Sequence, residues 1–108
     1  MAAETTPLID PAQLHRYTKG NASLQVEVLS LFVAEAERLL RQVEDAADAQ
    51  VRGDRLRALI GLARNTGATR LAEEARALET QIATENPDLT PLRDVTAETL
   101  AYVRRTGI

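Results

Sequence analysis

Cysteine is missing from the 108-residue chain altogether. That excludes disulfides and thiolate chemistry, and it fits a reducing compartment. Tryptophan is missing too, and one phenylalanine and two tyrosines are the whole aromatic complement. A core must therefore come from Leu, Val, Ile and Ala. Such a palette suits helix packed on helix, whereas sheets draw on β-branched and aromatic residues. No apolar run exceeds a few residues, which leaves no membrane span. The opening "MAAETTPLID" lacks the basic-then-apolar layout of a signal peptide. No glycine-rich loop of the phosphate-cradling kind is present. These absences predict a soluble, cytoplasmic protein of one domain over residues 1–108, with residues 1–8 a flexible lead.

What is present is helical punctuation and helical periodicity. In "DPAQLHRYT", Asp10 can cap, Pro11 suits the first helical position and Gln13 stands where a capping box needs it. This predicts a short helix to about Thr18, broken by "KGN". Asn21 is a second cap. After it Leu24, Val28, Leu31, Phe32, Ala36, Leu39, Val43 and Ala46 recur mostly at three and four, the inner face of a long amphipathic helix. Glu37, Arg41, Glu44 and Asp48 take the opposite side. Glu35 falls near the apolar stripe, which calls for a partner or an exposed stretch of that face.

Gly53 and Asp54 read as the next break, with Asp54 capping a helix whose inner face is Leu56, Leu59, Ile60 and Ala63. Gly67 ends it as a left-handed terminator. Ala68, Leu71, Ala75, Leu78 and Ile82 then form a regular seam. After "TENPDLTP", Thr90 as cap and Pro91 at the first position start a last helix, with Leu92, Val95, Thr99, Leu100 and Val103 inward. The sum is an all-α chain: an up-down four-helix bundle with a short additional N-terminal helix. Glu44, Asp45, Asp48, Glu73 and Glu74 are spread over separate helices with no His or Cys beside them. No metal, no cofactor and no acid/base pair is expected.

Charge is distributed unevenly. Arg52, Arg55, Arg57, Arg64 and Arg70 face only Asp54 between Val51 and Arg70, a local balance of +4 in a chain of net charge −3. No aromatic stacking residue accompanies them and the rest of the chain is acidic, so nucleic acid is not the expected partner.

Two segments resemble the histidine-containing phosphotransfer (HPt) domain family. "YTKGNASLQVEVLSLFVAEAERLL" resembles its entry, where a Gly-Asp pair precedes a long helix patterned with Leu, Glu-Val-Leu and Leu-Phe. "GLARNTGATRLAEEARALE" resembles its second signature, a Gly-Ser-Ala-like run reaching Gly-Ala and then a Leu-Ala helix ending in Leu-Glu. Together they cover roughly Leu14 to Glu79. The resemblance implies a four-helix bundle that passes a phosphoryl group between receiver domains on one exposed histidine. The family motif is His-x-x-Lys-Gly on the third helix, counting the short leading one. Aligned on Gly61, this chain reads "RALIG", with Arg57 at the His position and Ile60 at the Lys position. A guanidinium keeps its proton and offers no lone pair for attack on phosphorus. The family reaction therefore cannot run at position 57, and the loss of both residues marks a degenerate member.

The resemblance then implies a non-catalytic module of a two-component phosphorelay, taking part in signal transduction. It would bind a response-regulator receiver domain or a histidine kinase through Arg57, Ile60, Gly61 and Arg64. Arg57, Gly61 and Arg64 share a helical face, and a guanidinium delivered over a small glycine can pair with carboxylates of a receiver's acidic pocket. Set against this, a charge run is often only a solvated face, and Ile60, at the edge of the core stripe, reads first as a boundary residue of the core. Gly61 itself costs about 1 kcal/mol in a helix relative to Ala, for which close approach of another surface is a reason. His15, the single histidine, is the one residue through which an active carrier could work; otherwise it is a surface histidine. A structural or dimerising bundle is the third reading, whereas a receiver-docking module is expected to be a monomer.

Overall fold

The computed structural model describes residues 7–81 and 87–106. Among these residues the chain is five helices and no strand: α1 (Pro11–Thr18), α2 (Ala22–Asp45), α3 (Ala49–Thr66), α4 (Thr69–Glu79) and α5 (Thr90–Arg105). Their starts follow from local chemistry. The Asp10 side chain accepts from the Ala12 N–H at 3.0 Å, Pro11 opens α1, and Asn21 accepts from the Leu24 N–H at 2.9 Å to open α2. Gln13 closes no capping box. The Asp10 N–H that it would have satisfied donates instead to the Gly67 carbonyl at 2.7 Å, and Gln13 accepts from Arg16 at 2.8 Å.

Two helix starts differ from expectation. α3 begins at Ala49, six residues earlier than a cap at Asp54 would give. Asp48, in extended backbone, accepts from the Val51 N–H at 2.9 Å. Gly53 is thereby a buried residue inside the helix and Asp54 an exposed one. At α5, Thr90 is the first helical residue rather than the cap; Asp88 reaches forward and accepts its N–H at 3.0 Å. α3 ends as expected on Gly67 at φ +84°, and its Cα lies so close to the leading segment that a Cβ would sit 2.7 Å from the Asp10 carbonyl oxygen. Residues 1–6 of the expected flexible lead, and Ile82 of the α4 seam, lie outside the described residues. Leu8 is half-buried and Ile9 is buried.

The helices pack as a ring. α2 lies on α3, α3 on α4, α4 on α5, and α5 returns to α2, while neither diagonal pair, α2 with α4 or α3 with α5, brings its Cα atoms within 8 Å among the described residues. α1 packs across α2 and α3. Phe32, Leu29, Leu56, Leu59, Leu71 and Leu92 are the largest apolar side chains fully removed from water, each contributing about 1.5–3 kcal/mol. The buried hydroxyls of Thr18, Thr66, Thr96 and Thr99 donate to carbonyls one turn back, which satisfies them without a cross-helix partner. The expected inner faces of α3, α4 and α5 are buried as far as they are described. α2 departs from expectation. Its buried stripe is Leu29, Phe32, Ala36, Leu39 and Val43, whereas Leu31 is 70% exposed and Leu24 40%.

Ion pairs close three sides of the ring. Arg57 meets Glu79 across α3 and α4, Arg70 meets Glu98 across α4 and α5, and Arg93 and Arg104 meet Glu44 and Glu37 across α5 and α2. The α2–α3 side has no such pair among the described residues.

Candidate functional site

The outer surface of α3 carries the residues singled out in the sequence. With 3.6 residues per turn, Arg57, Gly61 and Arg64 lie within about 60° of one another, and all three are exposed. Ile60 is not with them. It is 8% exposed and belongs to the core, which fits the boundary reading and leaves little of its side chain for the contact expected of it.

Gly61 is the most informative of the three. A Cβ built on it meets nothing within 4 Å. Among the described residues no neighbouring helix comes within 4 Å of that point, so no packing contact there calls for a missing side chain. Arg57 lies beside it with its side chain 60% exposed, yet it is engaged. Its guanidinium folds back over Gly53, where a Cβ would lie 3.6 Å from Nη2. It pairs there with Asp54 at 3.2 Å and Glu79 at 3.6 Å. Arg70 is likewise engaged, with Glu98 at 3.3 Å. Of the five arginines between Val51 and Arg70, then, Arg52, Arg55 and Arg64 have no ion pair among the described residues. The local charge excess is smaller in three dimensions than along the chain.

One depression takes in Gly61 and a second begins at the neighbouring Leu62 and Asn65. One, of ≈ 410 Å³, is lined by Gln13, Gly61, Arg64 and Asn65 and is polar. The other, of ≈ 320 Å³, lies between α2 and α3 and is apolar, with Tyr17, Val28, Leu31 and Leu62 on its walls and Glu35 and Asn65 at its edge. Asn65 joins the two. The sequence held one sign of the second: Glu35 sat on a stripe that ought to have been buried. Glu35 accepts from the Arg38 guanidinium, and that hydrogen bond holds its carboxyl below the usual range and the Arg38 guanidinium above its own.

His15 stands apart from this surface. It is exposed in the last turn of α1, about 200° around that helix from Gln13, which lines the depression beside Gly61. Its imidazole lies against Gly20, where a Cβ would come within 2.9 Å of Cε1. Among the described residues no three His, Cys, Asp or Glu side chains are grouped to hold a metal ion, and no helix is long and apolar enough to cross a membrane.

Comparison with protein-family models, curated proteins and solved structures finds no match for this chain.

Proposed function

We propose that this chain is a non-catalytic HPt-like module: an up-down four-helix bundle with a short leading helix. It docks on a receiver domain or a histidine kinase of a two-component phosphorelay and modulates signalling without carrying phosphate. The ring of contacts from α2 to α5, with no diagonal pair within 8 Å at Cα among the described residues, and the tight α3–α4 turn support the bundle topology. The reading assigns the module to the cytoplasm and makes it a monomer with the α3 face free.

One observation carries the proposal. Gly61 sits in the exposed part of a helix with open space where a side chain would be. A glycine there costs about 1 kcal/mol of helix stability and the fold gains nothing from it. A second surface pressed against the helix at that point is the natural return. Arg57 and Arg64 on either side supply donors for carboxylates, and the α2–α3 depression supplies an apolar contact. Phosphotransfer is not part of this function, because position 57 holds no nucleophile.

The test is a titration of the purified chain against isolated receiver domains at low and high salt. Association is expected, weaker at high salt as screening shortens the reach of the arginines. Arg57→Glu lowers affinity, and Gly61→Ala lowers it while leaving the fold at least as stable. Undiminished affinity in both variants removes the docking face from the account. Acid-labile phosphate on His15 after incubation with a phosphorylated receiver would instead establish the carrier reading.

A further inference from the structure

We propose that Asp54 and Glu79 are a built-in competitor for the docking partner, holding Arg57 in a parked position from which it must be released to bind; this rests on the docking reading above. Arg57 does not project freely from α3. It lies back over Gly53, and its guanidinium is shared between a carboxylate one turn away on α3 and another at the end of α4, at 3.2 and 3.6 Å. The two acids come from separate helices. Glu79 is 22 residues distant in sequence and is brought there only by the packing of α3 on α4.

Two carboxylates around one guanidinium is the arrangement that an acidic partner surface would itself offer. Docking through Arg57 therefore exchanges one pair of carboxylates for another and gains only the difference. The parked pairs are solvent-exposed, with side-chain exposures of 60% for Arg57 and Asp54 and 39% for Glu79, so the exchange is easily reversed. Gly61, one turn on, adds no side chain to that face and has open space at its Cβ position. The consequence is a ceiling on affinity set by the chain's own acids, and a selectivity filter: only a surface with better-placed carboxylates than Asp54 and Glu79 extracts the guanidinium.

A double-mutant cycle tests this, with isolated unphosphorylated receiver domains as the probe and calorimetry as the readout. Asp54→Asn with Glu79→Gln is expected to bind about three- to tenfold more tightly than the wild type, the range two exposed ion pairs can supply. In an Arg57→Gln background the same two changes are expected to have no effect. Glu98→Gln, which removes an acid paired with Arg70 on another side of the ring, is the charge control and leaves affinity unchanged. An equal gain in the Arg57→Gln background, or in the Glu98→Gln control, means that only net charge changed and overturns the proposal. So does no gain at all. Binding by none of the forms overturns the docking reading itself, which is a different result from binding without an Arg57-dependent gain.

Discussion

Gly61 and Gly67 are six residues apart, and replacing each by alanine should move stability in opposite directions. Gly61 has helical backbone and vacant surroundings, so Gly61→Ala removes unfolded-state entropy without a clash and adds about 1 kcal/mol. Gly67 has φ +84°, and a Cβ there would sit 2.7 Å from the Asp10 carbonyl oxygen and 3.3 Å from the Asp10 nitrogen. Both contacts are backbone atoms that cannot swing aside. The same Asp10 nitrogen donates to the Gly67 carbonyl at 2.7 Å, so displacing the leading segment also breaks that bond. Gly67→Ala should lose about 2 kcal/mol or more, read as a lower urea midpoint. The sequence marks both glycines as worth explaining. It identifies Gly67 as a helix terminator but carries no sign that the leading segment docks against it.

At the scale of the element, Asp88 governs the entry to α5. Its carboxyl is held below the usual range, first by the Thr90 backbone N–H and second by the Thr90 hydroxyl. A carboxyl lowered in the folded state contributes stability that is fully present above its unfolded value, about 3.9. That contribution is lost as pH falls through the folded value. Asp88→Ala should therefore lower the urea midpoint at neutral pH, and the deficit should narrow progressively as the pH falls below the usual carboxylate range and the wild-type carboxyl takes up its proton. A deficit independent of pH would assign the effect to something other than the charged acceptor. The helices themselves were largely legible from spacing and caps, and α1 and the α4 seam as far as Leu78 follow the pattern. The start of α3 was not, because Asp48 and Asp54 are both competent caps. The penalty of about 1 kcal/mol for Gly53 inside a helix is smaller than the gain from continuing it. The engagement of Arg57 was only half legible: Asp54, its closer partner at 3.2 Å, is one turn away in sequence, but Glu79, at 3.6 Å, belongs to the next helix.

At the scale of the molecule, the ring distributes its chemistry by side. Three sides are bridged by arginine–carboxylate pairs, each exposed and individually weak, while the α2–α3 side keeps an apolar depression open to solvent. Periodicity alone could not separate these. Leu24, Val28 and Leu31 repeat at the same three-and-four spacing as the buried stripe, but Leu31 is turned about 100° around α2 from Phe32 and so lies outside it. Leu31, 70% exposed, therefore contributes almost nothing to the folded state. Leu31→Asp should change unfolding free energy by no more than about 0.5 kcal/mol. Yet it places a charge on the wall of the depression beside Gly61, where a docked partner would have to desolvate it without a counter-ion. Receiver binding should fall at least about tenfold, the scale of a lost anchor contact, while the thermal melt followed by circular dichroism stays in place. If binding survives Leu31→Asp and falls only with Arg57→Glu, the partner contacts the α4 side of α3 alone. If light scattering finds a dimer that Leu31→Asp dissociates, the occupant of the depression is a second copy of the chain, and the face assigned to a receiver is a self-association surface.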